Sequence, residues 1–223
     1  MSAFVYEQME LEGRAIKAES RHPLFPQRPV QTCHGQIGHY GEHPSRICGE
    51  VAFEICFDGK ISNQVQQLVE DGIASALADY LALYGDKTKV NDPTTGQPKV
   101  DHHFDLEVLA DRMVCKVHGS TGHMGSIMEN DGAITKMACL VRMLYRMKKK
   151  LRQASGGEVT LQLHGEETAP ALKLEGGQGF VPTHAISEVM ERMRRAAVEG
   201  ASAYLRLEGH PGTASDCVRV SYD

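Results

Sequence analysis

The sequence lacks the features that would assign it to a membrane or secreted class. It has no run of about 20 apolar residues, which a membrane-spanning helix requires. Its first residues lack the basic start and apolar core of a signal peptide. Six cysteines are scattered along the chain without a Cys-x-x-Cys pair. Together these absences predict buried free thiols and a cytoplasmic location.

An excess of positive charge is also missing. The formal net charge is −5 at pH 7, and the only basic run, residues 146–152, falls at the end of a predicted helix. Cations are favourable there because they complement the helix dipole. We therefore expect neither a nucleic-acid partner nor a membrane partner. With 223 residues, the chain is long enough for one large domain or two small ones.

The spacing of apolar residues predicts an α+β fold. Helical periodicity predicts helices over about 63–84, 133–154 and 186–205. Alternation predicts strands over about 47–57, 106–118, 159–163, 171–180 and 218–222. From residue 106 onward, the order strand, helix, strand, strand, helix, strand predicts a ferredoxin-like two-layer sandwich, with helices on one face of a mostly antiparallel sheet.

A polar stretch over residues 86–99, which contains two prolines and a glycine, is the best candidate linker. It divides the chain into a strand-rich half with one helix, residues 1–99, and the ferredoxin-like half, residues 100–223.

One pattern, His-Gly-x-x-Gly-His-x-Gly, occurs twice, at residues 34–41 and 118–125. Glycine lets a ligand or another backbone approach closely. Histidine supplies a donor, an acceptor or a proton near neutral pH. We expect the paired turns to line a small-molecule site, and the repeat suggests that the two halves are a pseudo-duplication. The alternative is a duplicated glycine turn whose histidines bond only nearby carbonyls.

The second copy is followed by Asp131-Gly132-Ala133-Ile134 at the start of a predicted helix, and Gly-Gly-Gln-Gly-Phe-Val-Pro follows at residues 176–182. With these neighbours, it resembles the lid, or dimerisation, domain of the zinc aminoacylase/carboxypeptidase/deacetylase family. There a strand ends in Gly-x-x-x-His-x-Gly, a helix begins soon after, and a Gly-Gly-x-x-Asn-x-x-Pro segment follows. The resemblance covers about residues 106–223, and Gly132 stands where the family has an asparagine.

The resemblance implies a lid histidine that reaches the zinc site of a partner subunit and stabilises the oxyanion of the tetrahedral intermediate. The matching position is His123, and His39 is its equivalent if the duplication is functional. We expect these two as catalytic residues, and His118 and His34 as substrate contacts. The predicted function is an oligomerising lid-type module, resembling that of zinc-dependent amide hydrolases, that works as a homo-oligomer.

Two other classes of function stay open. One is a self-contained hydrolase of amides or cyclic amides that uses the same histidines. The other is a non-catalytic structural or interaction protein. A second alignment to the same family, to its catalytic core, would make His103 and Asp105 zinc ligands. It would add Glu129 as a bridging carboxylate and Glu166-Glu167 as the glutamate pair.

The sequence alone identifies no metal or cofactor, although zinc is the ion that the resemblance implies. His34, His39 and His43, spaced by five and four residues, are an alternative group of metal ligands.

Overall fold

The computed structural model describes residues 1–25, 32–123, 131–166 and 171–222. This part of the chain is an α+β structure with six α-helices and antiparallel sheets. The helices are α1 (Ser2–Glu19), α2 (Asn63–Tyr84), α3 (Ala133–Arg146), α4 (Lys148–Ser155), α5 (Ile186–Glu208) and α6 (Ala214–Cys217). The strands are β1 (Thr32–Ile37), β2 (Arg46–Ile47), β3 (Glu50–Phe57), β4 (Phe104–Val108), β5 (Arg112–His118), β6 (Gly122–His123), β7 (Val159–Leu163) and β8 (Leu174–Gln178).

The largest sheet has four strands in the order β4-β5-β3-β7, and every neighbouring pair is antiparallel. Strands β5 and β3 are central, and in β3 Phe53 lies opposite Cys115 of β5 on one side and Leu163 of β7 on the other. Side chains alternate between the two faces of a strand. Phe53 and Ile55 therefore face a core shared with α2 and α3, whereas Glu50 and Glu54 face the other way. Two smaller sheets pair β1 with β8 and β2 with β6.

Helix α2 has the start and end signals that its sequence predicts. The Ser62 hydroxyl accepts a hydrogen bond from the Val65 amide at 3.3 Å, which caps the N-terminus. The helix ends at Gly85, where φ is +75°. In its middle, Gly72 lies so close to the Met147 side chain that a β-carbon there would stand 2.8 Å from the sulfur. This glycine brings α2 against the junction of α3 and α4, over the helix-covered face of the sheet.

The predicted helix over 186–205 is present as α5, but it packs against α1 and α6 rather than on the four-stranded sheet. The expectation that all three predicted helices cover one sheet face was therefore wrong for this helix. Its partner α1 was not predicted. Arg192 of α5 joins the two helices through hydrogen bonds to Glu19 and Glu12.

Two strand predictions need correction. The segment 106–118 is a hairpin of β4 and β5 rather than one strand, and residues 218–222 form no strand. The four-stranded sheet takes β3 from residues 1–99 and its other strands from residues 100–223, and the domain boundary stays a prediction. Within the described ranges, no helix is both long and apolar enough to cross a membrane.

Candidate functional site

The first copy of the motif begins within β1 and continues into the turn after it, and it places its two histidines differently. His34 is buried, 5% exposed, with Nε2 3.4 Å from the Glu10 carboxylate of α1. His39 is half exposed, and its Nδ1 lies 3.0 Å from Oε1 of Glu166. The same oxygen accepts a hydrogen bond from the His39 amide at 3.0 Å. Of the two, only His39 is accessible to a ligand without movement of α1.

The second turn follows β5. His118 is the last residue of β5, and His123 lies in β6, opposite Arg46 of β2. The His123 side chain is exposed. Met124 and Gly125, which complete the second copy of the motif, lie outside the described residues.

The second position of the motif has the same structural role in both copies. A β-carbon at Gly35 would collide with the carbonyl oxygens of His43 and Pro44. A β-carbon at Gly119 would collide with the backbone of Asp131 and Ala133, at the start of α3. Each turn is therefore closed by a second stretch of backbone that packs directly on the glycine, which accounts for this glycine in the repeat.

The two turns lie beside the start of β3 from opposite sides, the first near the end of β7 and the second at the end of β5. From the second turn, Nδ1 of His118 lies 3.8 Å from Oε2 of Glu50. From the first turn, Tyr40 approaches Ala52 of the same strand; burial raises the pKa of Tyr40, as do the charges of Glu50 and Glu54, while a hydrogen bond from the Ala52 backbone opposes the shift. The rings of His39 and Tyr40 are 4.1 Å apart. The imidazole and phenol groups of the two turns thus flank β3, and together with the Glu50 carboxylate they make the start of this strand a polar surface.

This polar surface continues along β3 to Glu54, which is 1% exposed. Its carboxylate accepts hydrogen bonds from Arg112 at 3.1 Å and Gln162 at 3.2 Å, and it pairs with Nδ1 of His164. Burial acts to raise the pKa of Glu54, but the hydrogen bonds from His164 and Gln162 and the Arg112 charge together lower it. Glu54 is therefore a buried carboxylate that stays ionised at neutral pH.

Behind the second turn, a buried ion pair joins the loop before α3 to the sheet. Lys136 and Asp131 are fully buried, with Nζ 3.3 Å from Oδ1. The Lys136 ammonium also donates to the His118 carbonyl oxygen at 2.5 Å and lies 3.1 Å from Nδ1 of His103. The Tyr80 hydroxyl donates to Asp131 at 3.2 Å. Burial lowers the pKa of Lys136, and the Asp131 charge opposes this shift.

One group in the described part of the chain has the residue types and spacing of metal ligands: His102, Asp105 and His118. Nε2 of His118 lies 2.8 Å from Oδ2 of Asp105, and Nε2 of His102 lies 3.1 Å from the same oxygen. The rings of His102 and His118 are 4.6 Å apart. Hydrogen bonds from His118 and then His102 hold the pKa of Asp105 below its usual range.

The alternative ligand groups are not brought together. His103, which the catalytic-core alignment paired with Asp105, instead lies 3.1 Å from Asp86 and beside Lys136. Within the described ranges, His34, His39 and His43 do not form a group of metal-ligating geometry. Glu129 and Glu167 lie outside the described residues.

The sequence patterns indicated His118 and Asp105, but in different sites, and they missed His102. The missing information is the β4–β5 register, which sets Asp105 opposite Lys116 and so brings it next to His118. The signal available in the sequence was that His102 and Asp105 are three residues apart, the first just before a strand and the second within it.

When it is compared with known proteins, the chain matches no protein-family model, no curated protein and no solved structure.

Proposed function

We propose that this chain is an oligomerising lid-type module with a ferredoxin-like core, which holds a small molecule beside its two His-Gly turns. The observation that carries the proposal is that both turns approach β3: Nδ1 of His118 lies 3.8 Å from Glu50, and Tyr40 of the first turn approaches Ala52. If the motif contributes to one binding site, its two copies should approach the same part of the molecule. A turn with only a local structural role does not need its two copies to lie near the same strand.

The order of elements supports the ferredoxin-like core. Apart from the two-residue β6, the chain from β3 to β7 runs strand, helix, strand, strand, helix, strand, with the second helix divided into α3 and α4. The first strand of this series lies between the third and the fourth in the sheet. This order is the one expected of the split βαβ arrangement, and it supports the proposal. It spans residues 50–163, so it begins earlier in the chain than the sequence pattern predicted.

The chemistry of the first turn supports binding or hydrolysis of a carbon–nitrogen bond. The Glu166 carboxylate favours the His39 tautomer that carries its proton on Nδ1. The other ring nitrogen, Nε2, is then the basic atom, and a half-exposed imidazole in that state is suited to accept a proton from water or a substrate. The same His39–Glu166 pair favours the second candidate function, a self-contained amide or cyclic-amide hydrolase.

The edge strand β4 supports oligomerisation. At the two ends of the hairpin, Leu109 donates to the Arg112 carbonyl and His118 donates to the His103 carbonyl. Hydrogen-bonded and non-bonded pairs alternate in an antiparallel ladder. The amides of residues 104, 106 and 108 therefore face away from β5, along an edge that includes the 41%-exposed Val108. Such an edge is a template for pairing with a second copy.

The first test is the oligomeric state of the wild type and of Val108→Lys, measured by analytical ultracentrifugation. A lysine on an edge strand disfavours pairing between edges. We expect a closed oligomer for the wild type and dissociation for Val108→Lys, with unchanged far-UV circular dichroism. Leu83→Lys, which changes an exposed apolar residue of α2 in the same way, is the matched control and should stay oligomeric. A monomeric wild type would contradict the oligomeric part of the proposal.

The second test is a binding and turnover screen with N-acyl amino acids and cyclic amides, followed by NMR titration of any hit. We expect His39→Ala to weaken binding or turnover, because it removes the accessible imidazole. Loss of a general base typically costs about 10²–10⁴ in rate. His123→Ala tests the equivalence of the second turn, and His210→Ala, an exposed histidine after α5, is the control. A hit that both turn variants bind like the wild type would refute the site.

A further inference from the structure

We propose that His102, Asp105 and His118 form a binding site for a divalent transition-metal ion such as Zn²⁺, with solvent in the remaining coordination positions. The site shares His118 with the proposed function but does not rest on it. Neither a small molecule nor an oligomer is needed for a metal ion to bind these three side chains.

The spacing of the ligand atoms fits such an ion. In a tetrahedral zinc site with bonds of about 2.0–2.1 Å, neighbouring ligand atoms lie roughly 3.3 Å apart. The Asp105 oxygen already lies 2.8 Å from Nε2 of His118 and 3.1 Å from Nε2 of His102. All three ligand atoms lie within 4.8 Å of one another. The third separation, between the two imidazole nitrogens, closes by rotation of the His102 side chain, which is 54% exposed.

A second carboxylate lies close to the position expected of an outer-shell partner, just beyond hydrogen-bond distance. A metal-ligating histidine usually donates its other ring N–H to a carboxylate or a carbonyl, which fixes the tautomer. When Nε2 of His118 binds the metal, its proton is on Nδ1, and Oε2 of Glu50 lies 3.8 Å from that atom. Glu50 is itself held by Lys116 at 2.9 Å. The hydrogen bonds that Asp105 now accepts from the two imidazoles would be replaced by bonds from all three residues to the ion.

The His118 ligand is held in place by hydrogen bonds from the strand pairing and from the core. The His118 amide donates to the His103 carbonyl at 2.9 Å, and the His118 carbonyl accepts from the buried Lys136 ammonium. Asp105 is fixed by its pairing opposite Lys116 in the β4–β5 ladder. Two of the three ligands are thus on paired strands rather than on a loop, and such elements position side chains more accurately.

The donor set selects the class of ion. Two imidazoles and one carboxylate suit Zn²⁺ and its neighbours in the first transition row, whereas Ca²⁺ and Mg²⁺ prefer oxygen ligands alone. The Asp105 side chain is 60% exposed and that of His118 is 19% exposed. Water can therefore complete the coordination, as it does in zinc sites with three protein ligands.

The experiment is a titration of the full chain with Zn²⁺ by calorimetry and with Co²⁺ by visible absorption. A Cys217→Ser background is used, because Cys217 is an exposed free thiol that would compete for metal. We expect one ion per chain and d–d bands for Co²⁺. Loss of an outer-shell partner typically lowers metal affinity about 10–100-fold, and loss of a direct ligand should lower it at least as much. His102→Gln and Asp105→Asn should both show this loss.

His210→Gln, which removes an exposed histidine far along the chain from the site, is the control and should bind like the background protein. His102→Gln is the most informative variant because its exposed side chain contributes little to folding, and circular dichroism verifies the fold of each variant. Absence of saturable binding in the background protein would overturn the proposal. So would unchanged affinity in His102→Gln and Asp105→Asn, or an equal loss in His210→Gln.

Discussion

Lys136→Met should destabilise the protein far more than the same replacement of an exposed lysine. The substitution keeps an unbranched side chain of similar length but removes a fully buried cation 3.3 Å from the Asp131 carboxylate. Removal of one partner of a buried ion pair costs about 3–5 kcal/mol, because the other charge is left uncompensated. Asp131 keeps hydrogen bonds from the Tyr80 hydroxyl and the Ser120 amide. We therefore expect the lower end of this range, about 3 kcal/mol.

Urea denaturation followed by circular dichroism measures this change. A loss of about 3 kcal/mol corresponds to a Tm lower by roughly 6–12 °C for a chain of this size. Lys150→Met, an exposed lysine in α4, is the matched control and should change the free energy of unfolding by less than about 0.5 kcal/mol. The double variant Lys136→Met/Asp131→Asn should lose less than the sum of its single variants, with a coupling of about 0.5–3 kcal/mol. Equal stability of Lys136→Met and Lys150→Met would refute the reasoning.

Two further predictions concern the turn glycine and acid stability. Gly119→Ala forces a β-carbon into the backbone at the start of α3 and should cost about 1–3 kcal/mol in urea denaturation. Gly49→Ala, whose β-carbon would have its nearest neighbour at 3.4 Å, should be nearly neutral, and equal losses would contradict the steric argument. Hydrogen bonds from Thr88, and then Lys89, hold the pKa of Asp86 well below its usual range. Its stabilisation is therefore complete above the ordinary aspartate pKa of about 3.9 and is lost as the pH falls below that value. Asp86→Asn should be less stable than the wild type at neutral pH, and this difference should shrink in acid; a difference independent of pH would exclude the mechanism.

The helices and strands that the sequence predicts correctly have uninterrupted periodicity and clear end signals. Helix α2 combines an apolar stripe with Ser62 at its start and Gly85 at its end, and its predicted bounds match the structure. Helix α1 was missed because Glu10 and Gly13 interrupt its buried side, and it has no side-chain N-cap. The sequence predicts one strand in place of the β4–β5 hairpin because the connection, Leu109-Ala110-Asp111, contains neither glycine nor proline.

The candidate site could be predicted only in part, because sequence motifs report on residues that are close in the chain. The His-Gly repeat identified His39 and His118, which do lie near one polar surface. It did not predict that His34 is buried beneath α1, since that depends on a helix that was not expected. It also could not pair Asp105 with His118, because their proximity is set by the strand register.

The central position of β3 has a consequence for folding during synthesis. Strand β3 ends at Phe57, whereas its neighbours β5 and β7 begin at Arg112 and Val159. At about 5–20 residues per second, a ribosome needs roughly 5–20 s to complete the sheet after β3 has been made. Helix α1 waits longer still for α5, which begins at Ile186. Strand β3 therefore spends seconds on the nascent chain before both of its sheet neighbours are made, and of the two helices that share its core, α2 and α3, only α2 is made before both neighbours and can pack on it early.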